Sequence, residues 1–298
     1  MHIKLSQLIH LNCPARLNCK YRINFPNNQT TFELRSSVFK TLAFLINPFE
    51  NDVQQFLITN HNILHHVGPL ITTFAQNILL NMSNFPQFIS ETSQNSSESL
   101  IKSDNIQHHF TNIGATYLLR TLLIRNTNFI TVVSSIPGLI NSLIILSRFQ
   151  RQKNYRQSEQ NESLQPEQAD LIRSESILSL GWVQYFGNLN IQLSLIKQYD
   201  YIHSVLLEGI GNCSGSFEEN SRATINAVEG INWLFIILNE GRDWCDKNHE
   251  LKKQVEEEIE IGGGIEDLET PMFLNSEMND EDSKWEALQT KRIIVSYW

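Results

Sequence analysis

The stretch His61-Asn62-Ile63-Leu64-His65-His66 holds the residues best placed by type for chemistry. On a helix, His61 and His65 lie one turn apart on the same face, a spacing that seats a metal ion. A zinc hydrolase of this kind carries a glutamate directly after its first histidine, and Asn62 occupies that position. With no carboxylate or cysteine partner marked, these histidines, like His108 and His109, read as packing or surface residues. Cys13, Cys19, Cys213 and Cys245 are too few and too scattered for a disulfide scaffold, and no pair has the Cys-x-x-Cys spacing of a zinc site. Gly211-Asn212-Cys213-Ser214-Gly215 lacks the central serine of a hydrolase elbow. Gly262, Gly263 and Gly264 are flanked by acidic residues that repel phosphate, so they read as a flexible joint and not a phosphate cradle. The expectation is a non-enzyme with no catalytic residue, no metal and no cofactor.

Charge narrows the partners. The chain of 298 residues carries a formal charge of −9, and all of it falls from Glu240 onward, where sixteen acidic residues face seven basic ones. Nucleic-acid binding needs a net basic face that releases counterions from phosphate, and neither half supplies one, so no nucleic-acid partner is expected. Sparse cysteines fit a reducing compartment, cytoplasmic or nuclear, and Asn12, Cys13 and Pro14 interrupt any signal-peptide core near the start.

The elements that must position any site are helices, because apolar residues recur at spacings of three and four and seldom alternate. Residues 32–46 put Leu34, Val38, Leu42 and Leu45 on one face, ended by Asn47-Pro48. The uncharged run 126–147 is long enough to span a bilayer, yet its asparagines and the Ser135-Ile136-Pro137-Gly138 break predict two short buried helices and no membrane span. Polar stretches near 90–105 and 150–168 read as surface insertions. Four times an apolar residue is followed six positions later by Ile: Leu57 to Ile63, Ile130 to Ile136, Ile196 to Ile202, and Ile225 to Ile231.

In these features the chain resembles the armadillo repeats, with HEAT repeats the nearest relative. Gly211-Asn212 closes a helix, Glu218-Glu219-Asn220 opens another, Gly230 sits where the family turns, and Pro137 stands where its second helix often opens. The anchors are 73, 66 and 29 residues apart, against a family period of roughly 40–47. The resemblance implies an all-α fold, a right-handed superhelical stack of about four irregular armadillo-like units over residues 31–248. An N-terminal arm (1–30) precedes it, and an acidic, partly disordered tail (249–298) leaves the fold. It implies a non-catalytic scaffold or adaptor holding a protein partner on the concave face. A regulatory subunit or cochaperone acting through the acidic tail is the alternative. Peptide-binding members present a Trp with an Asn four residues later on the third helix. Here Trp182 is followed at that distance by Phe186, and Asn188 comes two residues later. The nominated partner contacts are Trp182, Tyr185, Asn188 and Asn212. Trp182 and Trp233 also fit apolar stripes and read as core side chains.

Overall fold

The computed structural model describes residues 6–13, 17–46, 51–83, 98–124, 127–149, 166–211 and 221–266, with single positions at 268, 288 and 292. Among the described residues every regular element is helical, and β-type pairing is confined to two isolated bridges, Leu11 with Ile23 and Arg242 with Cys245. The chain is all-α, as its periodicity predicts.

Helix α1 (Gln29–Leu45) starts where the Asn28 side chain accepts a hydrogen bond from the Thr31 N–H at 3.0 Å, so the asparagine satisfies one of the free donors of the first turn. Its buried stripe runs through Arg35, Val38, Phe39, Leu42 and Ala43, rotated from the predicted one, and Leu34 is left on the surface. Three sets of helices follow. The first is α2 (Asn51–Thr59), α3 (Ile63–Ser83) and α4 (Glu98–Leu123), and the second is α5 (Thr127–Ser135), α6 (Leu139–Ser147) and α7 (Pro166–Phe186). In the third, α8 (Leu189–Leu193) runs into a π-helical stretch, Ser194–Gln198. A second π-helical stretch, Ile202–Leu207, runs into α9 (Glu208–Ile210), and the long α10 (Ser221–Glu240) closes the set. Last comes α11 (His249–Ile261).

Three of the four anchor pairs straddle the turn between the first and second helix of a set. Each turn carries one residue in the left-handed region: Asn62 at φ 46°, Gly138 at 76° and Asp200 at 52°. Those are the residue types that tolerate this conformation, and the Asp200 carboxylate also accepts from the Ser204 hydroxyl at 2.9 Å. The fourth pair differs. Ile225 and Ile231 both lie inside the unbroken α10, so the spacing recurs there without the turn. Gly230 is also no turn: a methyl group there would come within 2.7 Å of Leu206 Cδ2, so the glycine lets α10 approach the π-helical stretch.

The uncharged run forms two short helices, α5 and α6, and no helix among the described residues is long and apolar enough to cross a membrane. Of the polar stretches, residues 90–97 and 150–165 lie outside the described residues, while Glu98 already belongs to α4 and Pro166 to α7.

The long helices pack in a row: α1 on α4, α4 on α7, α7 on α10, and α10 on α11. Gly114 allows the first contact, since a methyl on it would meet the Ser36 carbonyl oxygen at 2.7 Å. Polar links cross the row. The Gln54 side chain donates to the Leu122 carbonyl at 2.6 Å, and Asn226 of α10 donates to the Ser174 carbonyl of α7 at 2.9 Å. Glu175, fully buried on α7, pairs with Arg120 of α4 at 2.7 Å and with Arg222 of α10 at 3.4 Å.

Both predicted ends are corrected. Residues 6–13 do not stand apart as an arm, because Ile9, Leu11 and Cys13 are fully buried and this segment packs on α1 and α3. Nor does the chain leave the fold at residue 249. Asn248 caps α11 by accepting from the Leu251 N–H at 2.9 Å, and Leu251, Val255 and Ile259 are buried against the helices before them. Apolar residues every fourth position make an amphipathic helix whose acidic side faces out, so the composition alone misleads. Gly262 is not a joint: a methyl there would collide with Leu207. Residues 269–298 lie outside the described set apart from positions 288 and 292.

Candidate functional site

Two places in the fold gather side chains able to bind something. The first is the corner where α7 ends. Trp182 and Tyr185 meet edge to face with ring centroids 6.3 Å apart, and Trp182 lies over Phe186 at 5.6 Å. Across from them Trp233 of α10 approaches Trp182 at 4.7 Å, a closeness that Gly181 permits, since a Cβ there would stand 3.1 Å from the Trp233 ring. Trp244, in the turn after α10, lies 5.5 Å from Phe186 and donates its indole N–H to the Tyr185 carbonyl at 3.3 Å. All five rings are half-buried, so Trp182 and Trp233 are not the fully enclosed core residues that their stripes predict.

Beside these rings opens a cleft of about 290 Å³, lined among others by Asn188, Asn190, Asp243, Trp244 and Asp246. Asn188 caps α8, its side chain accepting from the Ile191 N–H at 3.2 Å. Of the nominated contacts, Trp182 and Tyr185 therefore come together, Asn188 borders the same cleft, and Asn212 lies outside the described residues.

The second place is where residues 6–13 and 17–23 fold back onto the start of α3. The donor atoms of His10, Cys13, Cys19 and His66 all lie within 4.8 Å of one another. Cys13 Sγ stands 3.1 Å from His66 Nδ1, and Cys19 Sγ stands 3.2 Å from His10 Nδ1. His10 Nε2 in turn faces His61 Nδ1 at 2.9 Å, and His61 Nε2 faces Ser6 Oγ at 3.1 Å. His10, Cys13 and His66 are buried and Cys19 is half-buried. His61 lies in the turn before α3 and His65 is exposed, so the one-turn face that these two would share on a helix does not form, and of the three histidines read as packing or surface residues His66 is the buried one.

Electrostatics in this pocket follow burial. Loss of hydration, reinforced by His61, pushes His10 down to about 4, so the ring is neutral at pH 7. His66 is pushed down to about 4 by burial first, then by His10 and Arg35. Burial and the neighbouring Cys19 push the Cys13 thiol up to about 12. Arg35 of α1, 4% exposed, has its Nε and Nη2 without a hydrogen-bond partner among the described residues, and burial lowers it to about 10. Its charge acts on both Cys13 and His66, lowering each.

Reading the cysteines as scattered missed this grouping. The signal was present in the spacing His10-x-x-Cys13 followed by Cys19, three ligand-type residues within ten positions, but their fourth member lies on another element. No family model, no curated protein and no solved structure matches the chain.

Proposed function

We propose that the chain is a non-catalytic helical-repeat scaffold that holds a basic segment of a protein partner at the aromatic corner of α7 and α10. One observation carries this reading: Trp244, one of the five clustered half-buried rings, lines an open cleft together with the exposed carboxylates Asp243 and Asp246. Clustered aromatics that are part desolvated are the usual anchors of a protein interface, and acidic rims favour Lys and Arg on the incoming side.

The order of helices supports an armadillo-like stack. Each set runs short, second and long, and the long third helices pack on one another in succession. In the armadillo family the third helix lines the partner groove, and Trp182 and Trp233 lie on successive third helices, α7 and α10. A right-handed solenoid of three full sets, with α1 as the third helix of an incomplete one, is the arrangement this order favours.

Fluorescence anisotropy with labelled Lys- and Arg-rich peptides, against acidic and uncharged peptides of equal length, tests the reading. The expected result is binding by the basic set that weakens with salt and falls about tenfold in the D243N/D246N double variant. Equal binding of all three sets, or no effect of the double variant, refutes it.

A further inference from the structure

We propose that His10, Cys13, Cys19 and His66 form a closed zinc site that fastens the N-terminal segment to the first set of helices. Four ligand atoms from two remote stretches converge, two sulfurs and two imidazole nitrogens, which is the donor set of a tetrahedral structural zinc. With bonds of about 2.3 Å to sulfur and about 2.0 Å to nitrogen, the edges of such a tetrahedron run from about 3.3 to about 3.8 Å. The Cys13–His66 and Cys19–His10 approaches, at 3.1 and 3.2 Å, already lie close to that range. The widest separation in the set, at most 4.8 Å, closes by about 1 Å through side-chain rotation.

The surroundings are built for the same purpose. A histidine that ligates through one ring nitrogen is usually oriented by a hydrogen bond from the other. His10 presents Nδ1 to Cys19 and Nε2 to His61, whose own far nitrogen reaches Ser6; with Nδ1 on the metal the proton sits on Nε2, which donates into this relay and so fixes the ring and its tautomer. Arg35 supplies the second observation. A guanidinium 4% exposed, with two nitrogens unpartnered among the described residues, has its charge felt at two of the four ligands, Cys13 and His66. Zinc ionises both thiols: the two S–H bonds break, two Zn–S bonds form, and the two protons go to solvent. The divalent ion and two thiolates sum to zero, and the sulfurs then offer Arg35 the acceptors it lacks.

Oxygen-seeking calcium and magnesium have no ligand here, since the set contains no carboxylate. Four protein ligands leave no open position for a substrate, so the ion's role is structural. Its place suits that role, because the end of a helical stack has an apolar face with no neighbouring unit to cover it, and Ile9 and Leu11 supply that cover.

The experiment is metal analysis of the full-length chain after reconstitution with zinc under reducing conditions, together with cobalt substitution. The expected result is one zinc per chain, and a cobalt form with the visible bands of a tetrahedral ion and a near-ultraviolet thiolate charge-transfer band. Cys19→Ser, at a half-buried ligand, should lose that band and most of the affinity while circular dichroism still reports a folded helical protein. Cys245→Ser, at a buried cysteine remote from the set, should leave both unchanged. His61→Ala should keep the stoichiometry and weaken zinc roughly 10- to 100-fold in competition with a chromophoric chelator. Substoichiometric zinc in folded protein with free thiols overturns the proposal. So does a Cys13–Cys19 disulfide in protein prepared without oxidant, or a clear preference for copper(I).

Discussion

The histidine–cysteine pocket and the aromatic corner are opposites in construction. The pocket is closed, polar and assembled from chain segments some fifty residues apart, as the Cys13–His66 contact shows. The corner is open, apolar, and three of its five rings come from a single turn of α7. A buried polar cluster needs every group matched to a partner, so its cost is met only when the whole arrangement is complete. A half-buried aromatic cluster tolerates partial burial, because each ring contributes on its own. The first construction suits holding a fold together, and the second suits meeting a partner.

That contrast can be broken experimentally. The largest expected effect comes from deleting residues 1–27, which keeps the Asn28 cap but removes the burial of Ile9, Leu11 and Cys13. At about 1.5–3 kcal/mol for each fully buried apolar side chain, the loss is about 5 kcal/mol, read as a fall in melting temperature of about 10 °C or more. An unchanged melting curve would mean that the pocket has no part in stability. Next is Glu175→Ala, midway along the row. It strands Arg120, largely buried, without its carboxylate and should cost about 3 kcal/mol in a denaturant titration. If the loss is under about 0.5 kcal/mol, the pair across α4 and α7 is only surface decoration.

Smaller in stability but sharper in meaning is Trp244→Ala. It should cost about 1–2 kcal/mol in folding and weaken basic-peptide capture about tenfold, while leaving zinc stoichiometry intact. Cys19→Ser should do the reverse, and a variant that disturbs both readouts would show the two regions to be coupled. The smallest effect is expected at Tyr201, fully buried with its hydroxyl unpartnered among the described residues. Removing an unsatisfied oxygen by Tyr201→Phe should leave stability unchanged or raise it by up to about 1 kcal/mol. Burial also pushes the Tyr201 phenol above its ordinary range. The raised value means that its contribution is intact below about pH 10 and is lost as pH climbs further, because the unfolded phenol ionises first. The phenylalanine variant should therefore lose less stability between neutral pH and strong alkali in parallel urea titrations.

Much of the helical order was legible because it rests on local rules. The 32–46 helix, the break of the uncharged run and three of the four turn anchors all follow from spacing, caps and left-handed residues. The errors fall where two segments decide a residue's role jointly. Gly230 and Gly262 look like turn and hinge residues until Leu206 and Leu207 are placed against them. The acidic run after residue 249 reads as solvated charge until Leu251, Val255 and Ile259 find a surface to cover. At the corner, Trp182 and Tyr185 were nominated from one helix, whereas Trp233 and Trp244 join them only through the packing of α10 on α7. The pocket was only half legible for the same reason, since His10, Cys13 and Cys19 stand close in sequence but Arg35 and His66 come from α1 and α3.

The row of long helices also has a mechanical meaning. Each of α1, α4, α7 and α10 is gripped chiefly by the one before and the one after, so tension on the two ends of the chain is borne in series. A pulled molecule should yield set by set, in a sawtooth of forces, and should not fail in a single event. The α7 step should come late, because its buried carboxylate is clamped by arginines on both sides. An object of that kind is a short spring whose stiffness is written in its inter-helix contacts.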